Sequence, residues 1–171
     1  MVVFDSMVKF RETKDYDVLP ELDKKEDQYF PRDIPCYRTE KICFVDGGAY
    51  IGDTFDALLK YAEDVKSDIA YYAGFEPDRE NYKELERTVR KQTNLEYSLY
   101  PYALCDEKRD LFFNMLGSTA SSVENEDSNN RLAVTGMPLD EIEFSIIPSH
   151  IKMDIEGEEY NALLGANKLI R

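Results

Sequence analysis

From Lys41 onward, apolar and polar positions follow one another in blocks that predict alternating strands and helices. Apolar runs over 42–46 and 69–75 have the length and composition of buried strands. The stretches 53–65 and 78–91 instead space their apolar residues three and four positions apart, which is typical of one buried helix face. This alternation predicts an α/β fold with a mostly parallel sheet and helices on both faces.

After the second predicted helix, strands and helices no longer alternate regularly. A third strand is predicted over 95–104, and apolar runs over 111–115 and 132–134 flank a polar segment, 117–130. Because that segment is rich in serine, asparagine and acidic residues, we expect a hairpin-like insertion or a lid. The run 149–154 predicts a further strand, the fourth of the main sheet.

The first 40 residues differ from the rest because they are rich in charge and contain Pro20, Pro31 and Pro35. Proline interrupts regular structure, so we predict a helical arm and an irregular lead-in over 1–40. The remainder, 41–171, is long enough for one domain with a substantial core.

The segment Phe44–Thr54 is the most informative part of the chain. An apolar run ends on Asp46, and a glycine-rich turn and a helix start follow, at the edge where open α/β sheets bind ligands. Ala49 occupies the position where a dinucleotide fingerprint has its second glycine. The carboxylate of Asp46 would suit the ammonium and sulfonium groups of S-adenosylmethionine and would repel a pyrophosphate. The pattern therefore favours methyl transfer over NAD chemistry.

A second acidic residue, Glu76, ends the second predicted strand and lies 24 residues after Gly52. In doubly wound folds an acid at this position accepts hydrogen bonds from ribose hydroxyls. NAD enzymes share this feature, so Glu76 does not distinguish the two cofactors. The alternative is a simple turn in which Asp78 caps the next helix.

The composition argues against several classes of partner and site. Acidic residues number 35 and basic residues 21, and the resulting net charge of −14 repels nucleic-acid backbones and anionic membrane surfaces. No apolar run approaches the ~20 residues of a membrane span and the start lacks a signal-peptide pattern, so we expect a cytoplasmic protein. Three cysteines and one histidine predict neither a disulfide framework nor a histidine-rich metal site.

Through most of its length the sequence resembles the FkbM-type S-adenosylmethionine-dependent methyltransferases. The resemblance is carried by 27–30, 44–54, 75–78 with the following Asn81 and Tyr82, and 151–159. The last segment reads Lys-x-Asp-x-Glu-Gly-x-Glu, with Leu-Leu-Gly-Ala shortly after it, and is the most specific to the family.

The resemblance implies a Rossmann-like class I methyltransferase sheet and a set of cofactor contacts. Asp46 and the backbone of the glycine-rich turn would hold the methionine end of S-adenosylmethionine, Glu76 the ribose, and Ala103 and Asp106 the adenine. The expected cofactor residues are Asp46, Gly47, Gly48, Ala49, Gly52, Asp53, Thr54, Glu76, Pro77, Asp78, Ala103 and Asp106. Ala103 as core packing and Asp106 as a turn residue are the structural alternatives.

Asp154 and Glu156 are the candidate catalytic residues, because they flank the tip of the fourth predicted strand. A carboxylate there could accept the proton of a hydroxyl that attacks the methyl group. The pair could instead hold Mg²⁺, which we consider possible without predicting a metal site. Glu156 could also cap the next helix or pair with Lys152, and these alternatives stay open.

The resemblance implies O-methylation of a hydroxyl on a small molecule or a sugar. The polar segment 117–130 and the residues 28–30 could close over such an acceptor. An NAD-dependent oxidoreductase and a non-catalytic cofactor-binding or assembly module are the alternative functions.

Class I methyltransferases order their strands 3-2-1-4-5-7-6, and the sequence predicts strands only as far as the fourth, followed by a helix over 158–169. We therefore expect a sheet truncated on its C-terminal side. The chain is then a fragment, or another chain covers the fourth strand, or the sheet is rebuilt. Because an exposed parallel edge is a liability, we expect a homo-oligomer that covers it.

Overall fold

A computed structural model describes residues 2–15, 28–30, 41–114 and 131–171. The chain divides into two compact units, Met1–Tyr37 and Arg38–Arg171. The predicted lid, 117–130, lies outside the described residues. Within the ranges given above, no helix is long and apolar enough to cross a membrane.

The described part of the chain contains seven strands: β1 Lys41–Gly47, β2 Asp68–Phe75, β3 Tyr97–Tyr100, β4 Ala103–Leu104, β5 Arg109–Asn114, β6 Arg131–Met137 and β7 His150–Met153. The α-helices described with them are α1 Val2–Thr13, α2 Asp53–Val65, α3 Arg79–Val89 and α4 Glu159–Leu164, and a short 3-10 helix spans Leu139–Glu141. Helix α1 belongs to the first compact unit, and all the other elements belong to the second.

The main sheet has four parallel strands in the order β3-β2-β1-β7. Helix α2 connects β1 to β2, and α3 connects β2 to β3. The predicted mostly parallel α/β sheet is therefore confirmed, and β7 takes the place of the fourth strand in the class I order. Because the strands are parallel, their carboxyl ends meet at one edge, where open sheets of this kind bind ligands.

Successive residues of β1 point to opposite faces of this sheet, and both faces are covered. On one face, Cys43 and Val45 join a cluster of buried side chains, together with Phe75 from β2. On the other face, the ring of Phe55 from α2 lies 4.7 Å from that of Tyr72, measured between ring centroids. This burial on both sides explains why the strands read as continuous apolar runs.

The other three strands form a separate sheet in the order β4-β6-β5. Strands β5 and β6 are antiparallel, which confirms the hairpin predicted around 117–130. The single third strand predicted over 95–104 is wrong, because β3 belongs to the main sheet whereas β4 pairs in parallel with β6. Pro101 lies between β3 and β4, and proline lacks the N–H that a continuing ladder requires.

Helix α4 has six residues, fewer than the predicted range 158–169. Gly165 follows it and packs so closely that a Cβ there would lie 2.0 Å from the carbonyl oxygen of Cys105. Beyond this glycine, the carboxylate of Asp140 accepts a hydrogen bond of 2.9 Å from the N–H of Leu169. A side-chain acceptor therefore replaces a helical carbonyl, and the chain ends in turns rather than in helix.

Candidate cofactor site

The turn that follows β1 lies directly against the residue that follows β7. Gly48 has a φ of 71°, and a Cβ at this position would lie 2.1 Å from the carbonyl oxygen of Asp154. Gly52, with a φ of 94°, is the N-cap residue that precedes α2. Glycine is therefore required at Gly48 both by its backbone conformation and by the approach of the neighbouring strand.

Four N–H groups of this turn donate hydrogen bonds within the protein. Gly48 and Ala49 both donate to the carbonyl oxygen of Phe75, at 3.1 and 2.9 Å. Tyr50 donates to Glu76 Oε2 at 2.9 Å, and Gly52 donates to the carbonyl oxygen of Ala49 at 2.9 Å. The turn is thus tied to the end of β2, and these four donors are already engaged.

Glu76 is the acid at the end of β2, and its side chain is buried. Its two carboxylate oxygens accept hydrogen bonds of 2.9 Å from the N–H groups of Tyr50 and Asp78. Burial raises the pKa of Glu76 to about 7, although both backbone hydrogen bonds act in the opposite direction. Because an ionised carboxylate offers about four lone-pair sites, the side chain keeps acceptor capacity for a ligand.

Asp46 is completely buried and belongs to a charged cluster beneath the turn. Its Oδ2 accepts a hydrogen bond of 2.9 Å from the hydroxyl of Tyr72, and its Oδ1 lies 3.0 Å from Nζ of Lys152. Burial raises the pKa of the Asp46 carboxyl, and the charge of Lys152 acts in the opposite direction. The carboxylate lies against Tyr72 and Lys152, and the cofactor contact expected of Asp46 stays a prediction.

Lys152 also reaches the turn itself. Its ammonium donates to the carbonyl oxygens of Gly47 and Gly48, at 3.3 and 2.8 Å. Because the hydrogen bonds with good geometry go to these carbonyls, the short contact with Asp46 Oδ1 is mainly an attraction between charges. We considered Glu156 as an ion-pair partner of Lys152, but in the structure Lys152 forms its ion pair with Asp46.

The two candidate catalytic residues lie beyond the tip of β7, and both are exposed. The N–H of Asp154 donates to the carbonyl oxygen of Gly47 at 3.1 Å, which fixes its backbone beside the turn. Glu156 has a φ of 55° and does not cap the next helix, because the N-cap position of α4 is held by Glu158, without a side-chain cap. The Oε1 of Glu159 accepts hydrogen bonds from the N–H groups of Ile155 and Gly157, at 3.1 and 3.3 Å.

Proton acceptor and metal ligand therefore remain as the roles considered for Glu156. Among the described residues, no three histidine, cysteine, aspartate or glutamate side chains cluster closely enough to hold a metal ion.

Asp53 and Asp78 lie at the starts of the two helices nearest the turn. Asp53 Oδ1 accepts a hydrogen bond of 3.0 Å from the N–H of Thr54. Asp78 Oδ1 accepts two hydrogen bonds of 2.9 Å, from the N–H groups of Glu80 and Asn81, and caps α3. The capping alternative for Asp78 is therefore confirmed, whereas the cofactor contacts expected of Asp53, Thr54, Pro77 and Asp78 stay predictions.

Ala103 and Asp106 belong to the second sheet and its first turn. Leu104 of β4 lies near Gly47, so this strand approaches the turn. Asp106 pairs with Arg109 in the connection to β5. Ala103 is buried in a small cluster with Cys105, Leu111 and Val134. Both residues thus have the structural roles considered as alternatives, and their contacts with adenine stay predictions.

The family model of the methyltransferase FkbM domain matches residues 46–171. The chain belongs to this family. The crystal structure of methyltransferase FkbM from Methylobacillus flagellatus has a similar fold, with a TM-score of 0.69 and 23% sequence identity. The comparison covers 96% of this chain and 39% of that one, so this FkbM-family chain spans about two fifths of that protein's length. No curated protein matches the chain.

The sequence did not predict that two residues of this FkbM-family site, Tyr72 and Lys152, would contact Asp46. Tyr72 was expected only as part of a buried strand, and Lys152 only as a possible partner of Glu156. The signal that points to both is strand register, because Asp46 lies directly opposite Lys152, and Phe44, two residues before Asp46, lies opposite Tyr72. Residues two apart in a strand share a face, so the three polar side chains converge.

The close contact at Gly48 can be separated from its backbone conformation by comparing two alanine variants. Gly48→Ala should lower the free energy of unfolding by about 3 kcal/mol or more, because the Cβ would overlap the carbonyl of Asp154. Gly157→Ala should cost only about 1 kcal/mol, because Gly157 has a φ of 99° and nothing within 4 Å of the added Cβ. Urea denaturation of both variants measures the difference, and equal losses would contradict the close contact.

The raised pKa of Glu76 predicts a pH dependence of stability. The folded protein keeps this proton until about pH 7, whereas an unfolded chain releases it near pH 4.5. The contribution is therefore fully present below pH 4.5 and is lost as the pH rises through 7, by about 3 kcal/mol at most. Urea denaturation at pH 5 and pH 8 should show this loss in the wild type and in Glu80→Gln, an exposed control. The loss should be smaller in Glu76→Gln by this contribution, and an identical loss in all three proteins would refute the assignment.

Proposed function

We propose that this chain binds S-adenosylmethionine at the carboxyl edge of its main sheet and takes part in methylating a hydroxyl group. The proposal rests on the hydrogen bonding of the turn after β1. The N–H groups of Gly48, Ala49, Tyr50 and Gly52 are all donated inside the protein. Carboxylates also lie around the turn, at Asp53, Glu76 and Asp154, and they favour a cationic cofactor.

The same observation argues against a dinucleotide. A pyrophosphate is normally held by free N–H groups of a glycine-rich turn and by the positive end of the following helix. Here the first turn of α2 carries Asp53 and Asp56, and both charges oppose an anion at that helix end. S-adenosylmethionine has no phosphate and carries positive charge at its ammonium and sulfonium groups, so the arrangement suits it better.

Glu76 has the position to accept a hydrogen bond from a ribose hydroxyl of such a cofactor. Its carboxylate is fixed by the N–H groups of Tyr50 and Asp78, which orients its remaining lone pairs. When bound, S-adenosylmethionine supplies an electrophilic methyl group next to the acceptor.

Asp154 is the residue we propose as the proton acceptor. Its backbone is hydrogen-bonded to Gly47, and its exposed side chain lies at the tip of β7, beside the turn. A carboxylate at this edge can receive the proton of an attacking hydroxyl. Glu156, two residues further on and also exposed, is the second candidate for the same step.

The acceptor class that we propose, a small hydroxylated molecule or a sugar, rests on the family resemblance. The net charge of −14 supports an acceptor other than a nucleic acid, because it repels a phosphate backbone. We propose a cytoplasmic location.

Isothermal titration of the 171-residue chain tests the cofactor directly. S-adenosylmethionine and S-adenosylhomocysteine should bind, and NADH should not. Glu76→Ala should weaken binding about 10- to 100-fold, because charge-assisted hydrogen bonds to the ribose are lost. Glu80→Ala is the matched control, since it removes an exposed carboxylate from α3 and should bind as the wild type does. Binding of NADH alone would overturn the proposal.

A further inference from the structure

We infer that Lys152 is a positioning residue, whose ammonium fixes the carbonyl oxygens of Gly47 and Gly48 and so holds the turn in the shape that receives the cofactor. The expected effect on cofactor binding rests on the proposed function. The expected effect on the shape of the turn rests only on the geometry beneath it.

The ammonium of Lys152 is surrounded by oxygen atoms from three consecutive residues. Its Nζ lies 3.0 Å from Asp46 Oδ1, 3.3 Å from the carbonyl oxygen of Gly47 and 2.8 Å from that of Gly48. The Lys152 side chain is only 8% exposed. A buried ammonium is costly unless it is paired and hydrogen-bonded, so these contacts strongly restrict the position of all three residues.

The carbonyl of Gly48 lies beyond the last residue pair of the sheet. The ladder between β1 and β7 ends at the pair Gly47 and Met153, and Gly48 follows with a φ of 71°. The N–H of Asp154 already donates to the carbonyl of Gly47. Lys152 therefore extends the connection between the strands by one residue, into the turn itself.

A counter-charge for Asp46 would not by itself explain the presence of lysine. Buried ion pairs are often no more stabilising than apolar side chains of similar volume. Lysine adds what an apolar side chain lacks, which is a set of donors aimed at two successive peptide carbonyls. With those carbonyls turned toward Lys152, the orientation of both peptide planes is determined at the start of the turn.

The first test compares two single variants that each break the ion pair. Lys152→Met removes the contacts with both carbonyls, whereas Asp46→Asn removes the counter-charge and leaves those contacts possible. We expect Lys152→Met to weaken binding of S-adenosylhomocysteine about 10- to 100-fold, as expected when a binding group is misplaced. Asp46→Asn should weaken binding much less. Equal losses in the two variants would overturn the inference.

The second test separates positioning from stability. The double variant Asp46→Asn/Lys152→Met removes both charges at similar volume, so its unfolding midpoint in urea should recover toward that of the wild type. Amide hydrogen exchange in the peptide covering 44–54 should nevertheless stay faster than in the wild type. Lys83→Met, which removes an exposed ammonium from α3, is the matched control and should leave exchange in that peptide unchanged.

Hydrogen exchange needs no ligand, so it distinguishes failure of the inference from failure of the proposed function. If the wild type binds neither S-adenosylmethionine nor S-adenosylhomocysteine, the proposed function fails, and exchange still decides whether Lys152 holds the turn. If exchange in the 44–54 peptide of the double variant and of Lys152→Met equals that of the wild type, Lys152 is only a counter-charge and the inference is wrong.

Discussion

The close approach of the turn after β1 to the end of β7 determines where the other groups of the site lie. Gly48 leaves no room for a side chain against the carbonyl of Asp154, and Lys152 spans the same junction from beneath. Because the turn is also hydrogen-bonded to Phe75 and Glu76, three strand ends are joined through one short segment. The positions of the acidic side chains at this edge follow from that junction.

The junction also determines which chemistry the edge suits. Four amides of the turn after β1 donate hydrogen bonds inside the protein, and carboxylates lie around the turn. Asp46 contributes to this arrangement from below, since its charge is balanced by Lys152 inside the fold. Asp53 and Asp154 therefore carry negative charge that a cationic cofactor would meet, and Glu76 adds to it as the pH rises above 7. This division between a buried ion pair beneath the turn and acidic side chains around it is the main feature that the structure adds.

The sequence predicted the main sheet well because buried parallel strands have a strong local signal, and it predicted the glycine-rich turn because close approach requires glycine. It was wrong where the outcome depended on contacts between distant segments. Pro101 divides the predicted third strand, and no local pattern indicated that the two halves join different sheets. Similarly, the side chain of Glu159, rather than that of Glu156, accepts hydrogen bonds from the backbone after β7, because of the conformation of that turn. The partner of Asp46 depended on strand register, which local periodicity does not determine.

The claim that the cofactor lies on this junction can be tested by nuclear magnetic resonance with S-adenosylhomocysteine as the ligand. We expect the largest chemical-shift changes at the amides of Gly47–Gly52 and at the side-chain carboxyl carbon of Glu76. Amides of β5 within the second sheet should change little. Changes of this kind would place the ligand across the ends of β1 and β2. Saturable changes confined to α4 or to the second sheet, with Glu76 and the turn unaffected, would contradict the account.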